Sequence, residues 1–389
     1  MESYIIVGGG LAGLTAANAL AGTGDRVVLF EQSEHLGGRA ITQDERGYKL
    51  NLGPHALYRG GRAIQTLREW QIPVHGKVPS VDTGAYFVYA GRKYDLFANA
   101  GGMLRTRLFG WSEKIEAARM YTSLGRGSVR PAETMEQWLA RHSRSGRVRD
   151  FAAALVRVST YSADMGRLSA RAALDQFRLA QRHNVLYLDG GWQTLVDGLA
   201  ERALALGVQI RRGQPVDSLG PHDASGVVLA VPPRAVEQIT GAQLPPLHPV
   251  RAATLDLGMR TLPEGAARFA LGLDRPLYFS RHSPTVVHVA KYLTEADDAG
   301  GVRHELEAHA ELAMPGWWRT ADIVRFLPNM TVMHTIAAPE GRPDVDAAGM
   351  DGVAIAGDWI GPEGMLADAA VASALRAAAM VKRRKVKAA

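Results

Sequence analysis

Tyr4-Ile5-Ile6-Val7-Gly8-Gly9-Gly10-Leu11-Ala12-Gly13 is an apolar run of strand type that breaks into Gly-x-Gly-x-x-Gly, and residues 14–21 behind it read as helix. Each glycine at this spacing has a physical task in a dinucleotide site. Gly8 allows the tight turn, Gly10 lets backbone approach a pyrophosphate, and Gly13 lets the helix pack closely on the strand. Phosphate charge then meets free N–H groups, with Leu11 and Ala12 between the glycines, at the positive end of the helix dipole. Three glycines so spaced are weak evidence in a chain with 42 of them; the residues that follow make the reading specific.

A second apolar strand, residues 26–30, ends in Glu31, eighteen positions past Gly13. An acid at that distance takes the hydroxyls of an adenosine ribose and disfavours a 2′-phosphate. Leu36-Gly37-Gly38-Arg39-Ala40 comes next. A glycine doublet followed by arginine permits a second close approach of backbone to phosphate, with Arg39 to neutralise it. Read alone, Gly37-Gly38 is an ordinary turn signal; placed just after the ribose acid, it belongs to the cradle.

The 389 residues fit two domains, and 47% hydrophobic with 22% charged residues is the composition of a globular enzyme. Without cysteine there is no disulfide framework, thiolate metal site, catalytic thiol or cysteinyl cofactor attachment. The first strand starts within four residues, which leaves no room for a signal peptide and predicts the cytoplasm. No window of about eighteen uninterrupted apolar residues marks a transmembrane helix. Lys382, Arg383, Arg384, Lys385 and Lys387 supply five of the net charge of +6. Residues 102–149 hold ten Lys or Arg against four Glu, with Leu104, Leu108, Phe109 and Trp111 interleaved. Both basic stretches are read either as solvated faces or as a peripheral contact with anionic membrane. Nothing resembles a nucleic-acid-binding motif, and no metal-ligating pattern stands out.

Pieces of the opening pattern recur. Gly190-Gly191-Trp192 leads into a helix through residue 205, with short strands expected at 207–210 and 215–219 and a buried strand at 226–231 ended by Pro232-Pro233. Residues 352–358 form another apolar strand, and a helix over 365–381 follows. Residues 102–185 read as helices around 114–124, 134–141, 149–158 and 170–182. Residues 236–345 mix strand-like runs at 268–273, 285–290 and 330–335 with a helix near 302–313. The fold expected is α/β: a discontinuous Rossmann-like cofactor-binding domain (1–75, 190–235 and 346–389) with an inserted mixed α+β substrate-binding domain (76–189 and 236–345).

In this order the pieces resemble the flavin-containing amine oxidase and phytoene desaturase superfamily over about 380 residues. The resemblance implies noncovalent FAD, held by Gly8, Gly10, Leu11, Ala12, Gly13, Glu31, Gly38 and Arg39. Val216 would meet the adenine end through its backbone. Gly357 and Asp358 would face the ribityl or pyrophosphate, and the helix start at Met365 and Leu366 the flavin ring. Asn51-Leu52-Gly53-Pro54-His55 is the expected segment beside that ring. His55 is open to three roles: a base, a donor to the flavin, or a satisfied core histidine. Lys291 is read either as a counterpart of the lysine that amine oxidases hold through water to flavin N5 or as a solvated strand-end lysine; His288, in the same strand, is read as structural. Adjacent Trp317 and Trp318 point different ways, so at most one lines a cavity. Met365 stands where amine oxidases carry a cage tyrosine, which brings the chain closer to the desaturase-like branch.

The function expected is an FAD-dependent oxidoreductase that removes a hydride from carbon of an apolar or polycyclic small molecule. The alternatives are a flavin-dependent amine or amino-acid oxidase, a non-redox flavoprotein isomerase, and a nicotinamide dehydrogenase. No dense acid/base constellation stands out, which suits hydride transfer more than hydrolysis.

Overall fold

A computed structural model describes the chain except residues 1, 22–23, 81–82, 98, 221–222 and 388–389. The opening run forms strand Ser3–Val7, the centre of a five-stranded parallel sheet. Arg26–Phe30 and then Gln209–Arg211 lie on one side of it, and Gly226–Leu229 and then Val353–Ile355 on the other. The chain thus contributes to this sheet from three separated segments. Continuous apolar strands suit it, because a parallel sheet is covered on both faces; Val227, Val228 and Leu229 are fully buried. Helix Leu11–Ala21 packs against helix Leu366–Lys387 and helix Gln193–Ala205. Nine of its eleven residues are buried, which is why its sequence is apolar all round. Its one buried amide, Asn18, is satisfied by Leu14 O, Leu199 O and Arg202.

A seven-stranded sheet carries the rest. Its order is Ala321–Met333, Val250–Met259, Val286–Tyr292, Leu277–Arg281, Phe269–Gly272, Ala85–Tyr89, Arg92–Asp95, antiparallel except between Phe269–Gly272 and Ala85–Tyr89. Side chains alternate between its faces. Ala253, Leu255, Leu257, Val287 and Val289 share an outer core with Val302, Leu306 and Ala310 of helix Ala299–Ala313. Tyr278, Ala290 and Tyr292 face the other way, into a core built with helices Trp111–Arg126, Met135–His142, Gly146–Thr160 and Ala170–His183, and with Met365. Strand Val185–Leu188 joins the two halves by pairing with Leu57–Tyr58 and Gly76–Lys77.

Three expectations are corrected. Residues 215–219 form no strand; this stretch is irregular, exposed except at half-buried Val216 and Leu219. The run at 330–335 ends a far longer strand, Ala321–Met333, whose interior Pro328 is tolerated because the strand is at the sheet edge. The last helix continues beyond residue 381 to Lys387, and Lys382 donates to Ala19 O. Among the described residues no helix is long and apolar enough to cross a membrane.

Candidate functional site

The glycine turn is fixed by space. A Cβ on Gly13 would lie 1.8 Å from Gly8 O, and one on Gly8, whose φ is +104°, would lie 2.4 Å from Ala230 O. Gly10 and Gly38 behave differently: their nearest atoms would be Gly37 O at 3.9 Å and Gly10 Cα at 3.7 Å. These two glycines therefore leave open room where a phosphate would approach. The two loops are tied together by Gly37 N donating to Gly9 O at 2.9 Å. The first intrahelical bond, Leu14 N to Gly10 O, leaves the N–H groups of Leu11, Ala12 and Gly13 ahead of it. Glu31 accepts Gly9 N through Oε2 and Ser33 N through Oε1. Each oxygen keeps a lone pair for a further donor.

Gly357-Asp358 arrives at the same place from the far end of the chain. Arg39 donates to Asp358 Oδ2 at 2.9 Å and to Val332 O, and His334 Nδ1 lies 3.1 Å from Asp358 Oδ1. Burial works to raise the Asp358 carboxyl, but Arg39 and His334 outweigh it and hold the group well below the usual carboxylate range. The guanidinium of Arg39, the residue expected to face phosphate, pairs with Asp358 and stays partly exposed. Val216 is half-buried against the core of the parallel sheet, Met365 is buried in the helical core, and Leu366 opens the last helix with φ 55°.

Gly53-Pro54-His55 lies against the inner face of the long sheet. Gly53 has φ +75°, and a Cβ there would strike Met330 Cε at 2.7 Å and Thr254 Cγ2 at 2.8 Å. His55 is half-buried, with Nδ1 3.1 Å from Gly53 O, Nε2 3.2 Å from Arg39 O, and its ring 5.0 Å from Trp192. Burial lowers its pKa, which keeps the imidazole neutral.

Beneath this loop is a group that the sequence reading missed. Asp256, fully buried, accepts His288 Nδ1 at 2.6 Å, Arg325 NH2 at 2.7 Å and Gly53 N at 3.3 Å. Burial pushes its carboxyl up, and His288 and Arg325 together hold it below its ordinary value. With Nδ1 held by the carboxylate, the other ring nitrogen of His288, Nε2, is buried without a partner. His282 lies 4.5 Å away ring to ring and stacks on Tyr187 at 3.8 Å; burial holds it neutral. Tyr187 and Tyr278 share a hydroxyl contact at 2.9 Å, and Tyr161 and Tyr292 meet edge to face. With Tyr58 these make a wall of five buried phenols, all pushed upward by desolvation and so un-ionised. The signal was present in Leu255-Asp256-Leu257: an acid between residues that alternate into a core marks the opposite face of a strand.

Lys291 does not join this group. On Val286–Tyr292 it shares the outer face with Val287 and Val289, while His288 and Tyr292 point inward. Its ammonium is bound at 2.5 Å by both Asp297 and Glu305. The lysine is neither solvated at a strand end nor on the side of His55. Of the tryptophan pair, Trp317 is buried and Trp318 is 61% exposed; neither is near His55 among the contacts described.

The residues fit a dinucleotide with a ring system at its end. The turn is open only at Gly10 and Gly38, and four buried polar atoms around Gly53-His55 lack partners: Thr254 Oγ1, His282 Nε2, His288 Nε2 and Trp192 Nε1. Such atoms destabilise a fold unless a ligand or water meets them.

Residues 11–241 match the family model described as flavin containing amine oxidoreductase. Over 95 residues the chain is 38% identical to an L-amino-acid oxidase of Pseudechis australis, a stretch covering 24% of this chain and 18% of that protein. An oxidoreductase from Methanosarcina mazei superposes with a TM-score of 0.75 at 16% identity, over 96% of this chain and 99% of the other. A putative protoporphyrinogen oxidase from Exiguobacterium sp. 255-15 gives 0.70 at 20% identity over 99% of both, and a putrescine oxidase 0.69 at 18% identity over 98% and 99%. At these identities the structures share the fold.

Proposed function

We propose, from the premise that this chain belongs to the flavin containing amine oxidoreductase family, that it is an FAD-dependent oxidoreductase acting on carbon of a small apolar or polycyclic molecule. One observation carries the reading: glycine segments at 8–13, 37–38 and 357, far apart in sequence, converge on one cradle beside a wall of unpartnered polar atoms. When bound, FAD supplies the two-electron chemistry, accepting a hydride from a substrate carbon.

The chain does the rest. The N–H groups of residues 11–13 hold phosphate, Glu31 takes ribose hydroxyls, and Gly10 and Gly38 give room for the pyrophosphate. Asp358 fixes Arg39 and His334 at the rim of the cradle. Gly53, Pro54 and His55 would support the ring, His55 as an imidazole whose nitrogens face Gly53 O and Arg39 O, and the helix start at Met365 and Leu366 would face it. Asp256 orients His288, whose Nε2 would take the proton lost from the carbon next to the one that gives up the hydride. The five phenols offer flat, neutral faces that suit a ring system. The lack of cysteine, and His55 with both nitrogens facing backbone carbonyls, support noncovalent attachment.

The family description and the fold shared with a putrescine oxidase favour an amine as second reading. Against it, Asp256 is already compensated by Arg325 and His288 and offers no free anion to an ammonium. Anaerobic mixing of the yellow protein with panels of cyclic unsaturated compounds and of amines decides the matter. Bleaching of the visible flavin band by the first panel supports the proposal, and bleaching by amines alone overturns the substrate class. Acid precipitation that leaves flavin in the pellet refutes noncovalent binding, and product of unchanged mass points to isomerisation.

A further inference from the structure

We infer that the outer face of helices Ala100–Arg105 and Trp111–Arg126 is a docking surface for an anionic lipid bilayer, whatever the substrate. Ten large hydrophobic side chains are exposed among the described residues, and four of them, Leu104, Trp111, Ile115 and Tyr121, fall within this short stretch. Helix Ala100–Arg105 buries none of its residues. Trp111 is 74% exposed at the first position of its helix, and Ile115, one turn on, is 59% exposed. The opposite face, Ala117, Met120 and Leu124, is already committed to the helical core. A large exposed cluster on the side that does not pack is not a by-product of folding.

The charge around the cluster is one-sided for a structural reason. The two acids of helix Trp111–Arg126 are turned inward onto the neighbouring loop. Glu113 accepts Gly110 N, Ser145 Oγ and Arg147, and Glu116 accepts Ser143 Oγ, Arg144 N and Ser145 N. Arg105, Arg107 and Arg119 form no ion pair among the described residues, and Lys114 lies over the Trp111 ring at 4.7 Å. Cations therefore surround Trp, Leu and Ile with no acid between them. That pattern matches a surface that is anionic at its headgroups and apolar just below, where tryptophan sits at the boundary.

The test is sedimentation of the full-length, flavin-loaded protein with vesicles of phosphatidylcholine, with and without phosphatidylglycerol. Binding is expected only with phosphatidylglycerol and should weaken as salt rises. Trp111→Ser with Ile115→Ser should weaken it by about tenfold or more, since each removes a side chain worth at least that factor when buried. Arg105→Gln with Arg107→Gln should weaken binding and flatten the salt dependence, with circular dichroism and flavin content unchanged in both. Equal binding to pure phosphatidylcholine, no binding to either vesicle, or undiminished binding by the Trp111/Ile115 variant overturns the inference. A concentration-dependent dimer that Trp111→Ser disperses overturns it too, in favour of a second copy of the chain.

Discussion

Asp256→Asn is the substitution on which the reading of the inner face depends most. The carboxylate is fully buried and bonded to His288, Arg325 and Gly53, so it holds three strands and the loop together. Asparagine keeps the shape and one acceptor but leaves Arg325, only 15% exposed, without a counter-charge. Removing one partner of a buried pair costs roughly 3–5 kcal/mol, and the retained acceptor places this change near 3 kcal/mol. For a folding unit of about 150–250 residues each kcal/mol moves the midpoint by roughly 2–4 °C, so Tm should fall by about 6–12 °C. The assay is a thermal melt of wild type and variant, followed by circular dichroism between about pH 3 and pH 8. Because the folded carboxyl is held below its ordinary value, its contribution is present above the ordinary carboxylate range and is lost as pH falls. The difference between the proteins should therefore stay nearly constant from pH 8 to about pH 5 and shrink as pH falls below about 4. Asp44→Asn, which removes the exposed pair with Lys49, serves as control and should leave the melt unchanged. A fall no larger than the control's, or one independent of pH, refutes the argument.

Other outcomes follow from the same geometry. Gly13→Ala drives a methyl into Gly8 O and should yield destabilised, colourless protein; Gly10→Ala meets only Gly37 O at 3.9 Å and should fold normally yet bind FAD about tenfold or more weakly, as read by flavin titration. Asp368 is buried, and burial raises its carboxyl to about 6 although Ala63 N donates to it. A raised acid stabilises the fold below its unfolded value near 4 and loses that contribution as pH rises through 6. Asp368→Asn should thus raise stability at pH 8 by about 3 kcal/mol and change little at pH 4, in denaturant melts at both values. Trp317→Ala should cost about 3–5 kcal/mol by opening a cavity in the outer core, and Trp318→Ala under about 0.5 kcal/mol, measured in the same way.

The parallel sheet and its glycine turn were legible because their constraints are local. A turn that admits only glycine at position 13 and a strand buried on both faces leave marks within a few residues. Most helices of the region 102–185 were readable for the same reason, through their 3.6-residue period. Strand Val250–Met259 was not, because it is flanked by strands on both sides and its buried residues include polar ones. The inner wall was hidden for a stronger reason. Asp256, His288 and Arg325 meet only through the register of three strands, and one sequence carries no sign of which strands are neighbours. Lys291 shows the converse: one position along the same strand separates the face of His288 and Tyr292 from that of the ion pairs with Asp297 and Glu305.

The order of strands in the parallel sheet sets a timetable for biosynthesis. Ser3–Val7 is made more than two hundred residues before its neighbour Gly226–Leu229 and more than three hundred before the edge strand Val353–Ile355. Domains form during synthesis from the first residues onward, yet this sheet cannot be completed while the chain grows. The apolar strand with the glycine turn can pair early with Arg26–Phe30, but its other edge must wait until Gly226–Leu229 has been made. Long-range parallel pairing of this kind is slow and exposed to aggregation. Heterologous production should therefore respond to elongation rate and chaperone supply more than to the stability of the finished protein.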